Sequence, residues 1–398
     1  MKRMNWVIIA VLLIFGVGHL PVFDGGMLSV QESLAQKSRT SAAKGKGKKG
    51  GTSKKGGASA AGGGKTGSKS AKDQAWVDGG GKFLATALSS DGKGAVSVNE
   101  GGVIKFWDMD SGNVTRLIRR GESLSAAAFF EDKKILMASS WVNDGQIVML
   151  DLNTGKEVAT RLGHKGGVAT VAFLPGGESA LSGGWDSQMM LWGGEHGEIA
   201  LVLNEHDGAI HGMAVSSDRA MMASGSADGK IKIWDLRNSG SVIKKITAHK
   251  KGVSSVVFSP DGKMILSGGA EKGKGKDKKD VYPIKIWDAV TGKPILVDKK
   301  KKSVGEHLAA ITLLRYSPDG KFILSGDRDG VLKLWDVTLQ TELRTFEGRK
   351  GGIETGTFSA NGSQVLAGGA GALTLWETET GKVLASGAPA ATATSTPK

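Results

Sequence analysis

Short apolar runs alternate with polar turns along most of the chain, and residues 306–336 show this pattern most clearly. Three apolar runs, at 310–316, 321–324 and 331–335, each have the length of a β-strand. The sequences SPDG at 317–320 and RDG at 328–330 separate them and are typical of tight turns. The segment is therefore predicted to form three consecutive antiparallel strands.

Polar and aromatic residues recur at fixed offsets in this segment and in three others. In residues 306–336, Ser325 lies 18 positions after His307, Asp329 lies 4 further on and Trp335 follows 6 later. Earlier segments repeat these offsets with the sets His164, Ser182, Asp186, Trp192 and His206, Ser224, Asp228, Trp234. Another segment has His249, Ser267 and Trp287, with Asp280 beyond an insertion as the candidate for the fourth member.

The pattern extends over seven units. The positions equivalent to Trp335 are Trp107, Leu150, Trp192, Trp234, Trp287, Trp335 and Trp376, at spacings of 41 to 53 residues. A regular period of this length indicates an array of repeated supersecondary units, here one domain over residues 73–388. The Trp-Asp pairs at 107–108, 234–235, 287–288 and 335–336, together with Gly163-His164, resemble the WD40 repeat family. The resemblance covers all seven units.

This resemblance implies an all-β fold, a seven-bladed β-propeller of four-stranded antiparallel blades. The fourth strands are then expected at 113–118, 157–162, 199–203, 242–246, 294–297, 342–346 and 382–385. A closed ring is favoured because an open arc would leave unpaired strand edges. Two segments compete for the closing position, residues 74–78 and the C-terminal strand that begins at Lys382.

The repeated His, Ser and Asp residues have two interpretations. One such set could be a hydrolase triad, and several could form a ring of metal ligands. However, an enzyme needs only one triad, whereas every blade has a buried indole N–H that requires an acceptor. A structural hydrogen-bond network is therefore predicted for the sets given above.

Three units depart from the pattern and are expected to be less stable. Unit one has Gly79 and Gly101 at the His and Asp positions, unit two has Arg120 and Leu150, and unit seven has Arg349, Ala367 and Ala370. Because repeat stability sums over units and their interfaces, local opening is expected between units seven and one.

Composition and charge change this picture in two ways. The absence of Cys excludes disulfides, thiolate metal sites and cysteine nucleophiles. The net charge of +14 suggests nucleic-acid binding until it is located along the chain: residues 37–72 contribute +11, which leaves only +3 for residues 73–398. The repeat domain is therefore only mildly basic.

The N-terminal residues predict export. A positively charged start, an apolar run at 6–18 and Ser33-Leu34-Ala35 before Gln36 are typical of a signal peptide over residues 1–35. The alternative is a membrane anchor at 6–23, although His19 and Pro21 interrupt it. The predicted localisation is periplasmic, cell-envelope or secreted, as for an exported, bacterial-type member of the family.

Residues 36–72 are predicted to be a disordered basic linker. From 37 onward they contain no aromatic or large aliphatic side chain that could bury enough surface to offset the entropy of ordering. The linker is either an adhesive for a polyanion, such as an envelope polymer or a membrane surface, or a solubilising spacer. Residues 389–398 are predicted to be a disordered tail.

Two lysine-rich segments are predicted to lie on one face of the propeller, because the links that precede each His and the hairpins that carry each Asp share that face. They are EKGKGKDKKD at 271–280 and KKKK at 299–302. The predicted partner-binding residues are Lys272, Lys274, Lys276, Lys278, Lys279, Lys299, Lys300, Lys301, Lys302, Lys250, Lys251, Arg349, Lys350 and Trp185. The alternatives are mobile, solvated loops and, for Trp185, packing between blades. Trp141 is expected to be packed.

The predicted function is a non-enzymatic protein-interaction scaffold, a monomer whose cationic face binds an acidic partner. No cofactor or metal is expected, since His206 belongs to the structural set and His196 and His211 have no accompanying ligand spacing. Specific nucleic-acid binding is not expected, because aromatic residues do not interleave the Lys tracts. The alternatives are an enzyme with a site at the channel mouth and a cytoplasmic or nuclear scaffold.

Overall fold

The protein consists of seven consecutive antiparallel sheets. The computed structural model describes residues 81–386 except 90, 122, 131–132, 140–144, 194–197, 239, 274–278, 297, 299–301, 347–350 and 370–371. Within these residues the chain forms 29 strands and no helix. Short runs of apolar and β-branched residues between Gly- and Asp-containing turns produce these strands.

Each sheet is one blade, and its strands are lettered a to d from the channel outward. Blade one contains β1 (Phe83–Leu88), β2 (Gly94–Asn99), β3 (Val103–Asp108) and β4 (Val114–Arg119). Blade two contains β5 (Leu124–Phe130), β6 (Lys134–Ser139), β7 (Ile147–Asp151) and β8 (Glu157–Arg161). Blade three contains β9 (Val168–Phe173), β10 (Ala180–Gly184), β11 (Met189–Gly193) and β12 (Glu198–Leu203).

Blades four to seven continue the series. Blade four contains β13 (Ile210–Val215), β14 (Met221–Ser226), β15 (Lys230–Asp235) and β16 (Ser241–Thr247). Blade five contains β17 (Val253–Phe258), β18 (Met264–Gly269), β19 (Glu271–Lys272), β20 (Asp280–Asp288) and β21 (Gly305–His307). Blade six contains β22 (Ile311–Tyr316), β23 (Phe322–Asp327), β24 (Leu332–Asp336) and β25 (Thr341–Phe346). Blade seven contains β26 (Thr355–Phe358), β27 (Gln364–Gly369), β28 (Ala372–Glu377) and β29 (Val383–Ser386).

The predicted seven-bladed propeller of four-stranded blades is confirmed, and six of the seven predicted fourth strands agree with the structure to within one residue at each end. The fourth strand predicted at 294–297 is wrong. Pro294 makes only an isolated bridge to Trp287, and β21 pairs with β20 instead, with His307 opposite Tyr282. Pro294 has no N–H to donate to a sheet, whereas the nine-residue β20 offers β21 an additional edge.

The hydrophobic core lies between the blades. The Trp of strand c packs against the neighbouring blade: Trp376 of blade seven joins Leu313 and Leu324 of blade six, and Trp107 of blade one joins Leu366 of blade seven. Trp107, Trp192, Trp234 and Trp376 are almost completely buried. Each blade interface is therefore a separate small core.

The ring closes between blades seven and one without an exchanged strand among the described residues. Strand β29 pairs with β28 inside its own blade, and β1 packs against β26. The contacts across this seam include Thr86 Oγ1 to Thr355 Oγ1 at 3.2 Å and a Lys82–Glu354 ion pair at 3.5 Å. Residues 74–78, the other candidate for closure, lie outside the described residues.

No helix suited by length and apolarity to crossing a membrane occurs in the part of the chain that the structure describes. The predicted signal peptide (1–35), basic linker (36–72) and tail (389–398) lie outside that part, as does Trp141. Export of the chain thus remains a prediction.

Candidate functional site: the His/Asp face and the central channel

A buried chain of hydrogen bonds links the repeated residues in the blades with complete sets. In blade four, Trp234 Nε1 donates to Ser224 Oγ at 2.9 Å, Ser224 Oγ lies 2.8 Å from His206 Nε2, and His206 Nδ1 lies 2.8 Å from Asp228. Blade three repeats the chain through Trp192, Ser182, His164 and Asp186 at 2.7 to 3.1 Å. The structure thus places these predicted residues together.

These sets are structural in their geometry. Ser224 is completely buried, and its oxygen accepts from the indole, so no substrate can reach it. Asp228 also accepts backbone N–H groups from Lys230 at 2.8 Å and Asp207 at 3.2 Å, which joins the hairpin between strands b and c to the link before strand a. Burial lowers the pKa of His206, although Asp228 opposes this effect. The imidazole is thus held in a fixed position between two loops.

In blade six the predicted acid is wrong. His307 Nδ1 lies 2.8 Å from Asp327, while Asp329 is exposed and bonds only through its backbone N–H, to Asp327 Oδ1 at 3.0 Å. The rest of the set is as predicted, with Trp335 Nε1 and His307 Nε2 both 2.7 Å from Ser325 Oγ. Asp327 ends strand b, and its carboxylate reaches the histidine from the strand instead of from the turn.

The contrast with blade three explains this change. The residue two positions after the network serine is Gly184 in blade three, where an added Cβ would lie 2.3 Å from Asp186 Oδ1 and 2.4 Å from His164 Nδ1. Glycine at the strand end thus gives the turn carboxylate room in blade three, but it is not a requirement, because blade four has Ser226 at this position and Asp228 still lies on the turn, 2.8 Å from His206 Nδ1. When an Asp occupies the strand end, as Asp327 does, it takes the carboxylate's position.

Blade five has no acid in its network. Trp287 and His249 bond Ser267 Oγ at 2.8 and 2.9 Å, but His249 Nδ1 is buried without a hydrogen-bond partner in the described part of the chain. Burial, reinforced by the charge of Lys285, lowers the pKa of His249 to about 3. Asp280, the predicted candidate, instead binds Lys251 Nζ at 2.6 and 2.7 Å. The insertion carries this Asp away from the histidine.

Only some of the predicted cationic residues belong to the part of the chain that the structure describes. The links before strand a and the hairpins between strands b and c form one face of the ring, the His/Asp face; the other turns form the opposite face, the turn face. Lys250, Lys272 and Lys279 are exposed on the His/Asp face of blade five. Lys302 is exposed too, but it was wrongly predicted to lie in the link before strand a: it precedes β21 on the outer edge of β20, where Ile295 N bonds Ile286 O and Val304 N bonds Ile284 O. Lys274, Lys276, Lys278, Lys299 to Lys301, Arg349 and Lys350 lie outside the described residues.

Trp185 is partly exposed and also packs against the neighbouring blade. Its side chain is 44% exposed on the His/Asp face, and its ring packs edge-on against His211 of blade four, with the centroids 5.2 Å apart. His211 lines the mouth of the central channel. An exposed indole supported from beneath by a neighbouring blade is suited to contact with a partner.

The central channel is built from a repeated irregularity of the inner strands. In six blades strand a carries a β-bulge near its start. The residues skipped there, and Glu354 at the matching position of blade seven, line the channel mouth: Leu84, Ser125, Ala169, His211, Ser254, Thr312 and Glu354. Bulges of this kind turn an additional side chain toward a shared surface.

Further along the channel lies a residue that the sequence analysis missed. Arg315 of β22 lines a channel segment of about 610 Å³. It stands eight positions after His307, where the three other networks have Ala172, Ala214 and Val257. Aligning the repeats with one another would have revealed it, because an arginine stands where the other units have small apolar residues.

Within the described residues, no group of three or more His, Asp and Glu side chains is arranged to hold a metal ion. The serines and histidines that resemble a triad are buried, and each is part of a blade core. The site that the structure presents is therefore a surface and a channel, the two features through which a propeller commonly makes contacts.

Comparison with known proteins identifies the repeat. The family model described as WD domain, G-beta repeat (WD40) matches residues 155–193, 197–235, 240–274 and 298–336. The four matched segments carry the four His–Ser pairs described above, and these parts of the chain are similar to WD40 repeats. The structure shows the same four-stranded unit in the other blades, so the chain is a seven-bladed propeller that is similar to WD40 proteins over these segments.

Individual relatives resemble parts of the chain. It is 27% identical over 260 residues to the small ribosomal subunit protein RACK1y of Oryza sativa subsp. japonica, covering 63% of this chain and 73% of that protein. It is 31% identical over 183 residues to the nuclear distribution protein PAC1 of Arthroderma otae, covering 44% of this chain but 37% of that protein. The match to periodic tryptophan protein 2 of Arabidopsis thaliana is 24% identical and covers 61% of this chain and 28% of that protein.

A solved structure supports the fold alone. The computationally designed Ika8 protein superposes with a TM-score of 0.58 at 22% identity, over 76% of this chain and 99% of that one. The sequence alignments with PAC1 and with periodic tryptophan protein 2 cover 37% and 28% of those proteins, so the chain spans well under half of their length.

Proposed function

We propose that this protein is a non-enzymatic interaction scaffold whose His/Asp face binds an acidic partner protein in the cell envelope or outside the cell. The observation that carries the proposal is the group of exposed lysines around blade five, on a domain with little net charge: Lys250, Lys272 and Lys279 lie on the His/Asp face, and Lys302 lies on the outer edge of the same blade. Such a local concentration of one sign of charge steers an oppositely charged partner and raises its association rate.

The framework beneath these lysines supports a presented surface. Glu271 binds Lys285, and Lys285 Nζ also donates to Ala248 O at 2.7 Å. Lys251 binds Asp280 at the other end of the insertion. Both ends of the lysine-rich hairpin are thus tied to blade five, which limits the entropy that a partner would have to remove.

Apolar side chains on the same face supply anchors. Leu308, directly after His307, is 82% exposed, and Trp185 is 44% exposed. Charged residues mainly accelerate and orient association, whereas buried aromatic and aliphatic anchors hold the complex together. A partner with acidic residues around an apolar centre fits this face.

Binding of a fluorescent acidic peptide, such as a glutamate-rich probe, tests the charge contribution. The variant Lys250→Gln/Lys272→Gln/Lys279→Gln/Lys302→Gln is expected to bind at least about tenfold more weakly at low salt, since each charge contact contributes up to about 1 kcal/mol. The difference should shrink at about 0.5 M salt because of screening.

The matched control removes four exposed lysines from the turn face: Lys93, Lys156, Lys293 and Lys382. It has the same net charge as the first variant and is expected to bind like the wild type. Equal loss of binding in both variants would show that only total charge matters and would refute a specific surface.

A further inference from the structure

A ring of seven equivalent positions surrounds the channel at the level of Arg315. Each member of the ring pairs with the middle of strand b in its own blade, as Arg315 does with Leu324 and Ala214 with Ala223. All seven line the same channel segment: Ala87, Ala128, Ala172, Ala214, Val257, Arg315 and Thr357. One guanidinium therefore projects from a wall made otherwise of small residues.

The small residues leave room beside the arginine. Five of the seven are Ala or Val, the channel segment has a volume of about 610 Å³, and the Arg315 side chain is exposed to it. Thr357, the equivalent residue of the adjacent blade, also lines this segment, and its hydroxyl donates to the carbonyl of Phe358 at 3.1 Å. The space is large enough for a small molecule, with the guanidinium of Arg315 as its charged hydrogen-bond donor.

Arg315 has no acidic partner among the described residues. Its Nη1 donates to the carbonyl of Leu314 at 2.8 Å, and no ion pair includes it. The channel walls partly desolvate the guanidinium and lower the pKa of Arg315 without opposition from a carboxylate, although the side chain stays exposed to the channel itself. A buried or enclosed cation is normally paired, since leaving it unpaired is costly.

Three further charged or titratable side chains of the described residues line the channel, all of them at its mouth. Glu354, the carboxylate that lines the mouth, pairs with Lys82 at 3.5 Å. Arg328 also lines the mouth, and His211 faces Trp185, with burial lowering the pKa of His211. The deeper segment therefore has an unbalanced positive charge, with protein walls that screen it less than bulk water would.

We infer that the Arg315 ring is a binding site for a small oxyanion, a phosphate or carboxylate group held by the guanidinium of Arg315. Arginine is suited to this role because its planar N–H groups match the geometry of two oxygens at once. The site is separate from the lysines of the proposed partner surface, and neither requires the other.

Titration calorimetry of the full chain with inorganic phosphate, and in a second arm with succinate, tests the inference at constant ionic strength. Arg315→Met is expected to weaken phosphate binding about tenfold or more, because a hydrogen-bonded charge pair is lost. Arg315→Lys should retain part of the affinity, since it keeps the positive charge but lacks the planar pair of N–H donors. Tighter binding of phosphate than of succinate would identify phosphate as the preferred group, and the reverse would identify carboxylate.

Arg237→Met is the matched control. Arg237 is an exposed turn-face arginine 3.3 Å from Asp218, and its variant loses the same charge without touching the channel. The variant that replaces Lys250, Lys272, Lys279 and Lys302 around blade five is a second control. Both should bind the oxyanions like the wild type. An unchanged affinity in Arg315→Met, with its fold confirmed by circular dichroism, or no binding by the wild type in either arm, would overturn the inference.

Discussion

At the scale of single residues, one hydroxyl does two tasks in each network. Ser224 Oγ accepts the indole N–H of Trp234 and faces His206 Nε2, so its removal would leave two buried polar groups unsatisfied. Buried groups left in this way cost more than the bonds themselves contribute. This asymmetry explains why the full set of residue types recurs together and why it was legible in the sequence.

Blade five allows a test of what the absence of an acidic partner for His249 does to stability. The folded-state pKa of His249 is about 3, against an ordinary value of 6.5, so between these pH values the unfolded chain binds a proton that the folded chain does not. The free energy of unfolding should therefore fall as the pH is lowered from 6.5 toward 3. The slope contributed by this one group is about 1.4 kcal/mol per pH unit inside the window.

The variant His249→Gln removes the titrating group. Its free energy of unfolding, measured by urea denaturation from pH 8 to pH 4, should depend on pH less steeply than that of the wild type below pH 6. Above pH 7 the two curves should run parallel, because His249 is neutral in both states there. Parallel curves over the whole range would contradict the assignment of an unpaired, neutral imidazole.

Among the strands, the structural features that repeat from blade to blade were predicted from the sequence, and the predictions were wrong where one blade departs from the repeat. The fourth strands and the Trp–Ser–His bonds follow from offsets that the fold enforces in each blade. Asp329 was chosen by its offset alone, yet Asp327 reaches the same point from the strand. In blade five an insertion breaks the offset. Counting residues therefore could not predict that β21 replaces the fourth strand or that His249 lacks an acidic partner.

Glycine in strand b sets how closely neighbouring blades approach. At Gly225 an added Cβ would lie 2.5 Å from Val253 Cγ1 and 2.6 Å from Val256 Cγ2 of the next blade. At Gly268, the equivalent position in blade five, it would lie 3.1 Å from Ile311 and Leu314. Neither backbone position requires a positive φ, so only the packing between blades distinguishes them.

Gly225→Ala is accordingly expected to destabilise the protein by about 1–3 kcal/mol through overpacking against stiff, β-branched side chains. Gly268→Ala, the matched control, should cost less than about 1 kcal/mol, because its neighbours need to move only a few tenths of an ångström. Urea midpoints of the two variants measure the difference. Equal losses of stability in the two variants would mean that the blade interface relaxes as a whole and that the local Cβ distance does not determine the loss.

At the scale of the whole ring, stability depends on how it closes. In a ring of repeats each blade contacts two neighbours, so opening one interface need not unfold the others at once. The seam between blades seven and one is the interface at which no covalent chain connects the neighbours. It is also flanked by blade seven, which has Ala367 at the serine position of the network.

An engineered disulfide across the seam between blades seven and one tests whether the ring opens there. Thr86 and Thr355 have side-chain oxygens 3.2 Å apart and 269 positions between them, so the pair Thr86→Cys/Thr355→Cys is placed to form a disulfide in a chain that has no other cysteine. Closing so long a loop can stabilise by about 4–5 kcal/mol. If the seam is the weak interface, oxidation should slow hydrogen exchange in β1, β2, β26 and β27 before it affects blades three and four. The reduced form of the same variant is the control, and protection that rises equally in all blades would show that the ring opens only by unfolding globally.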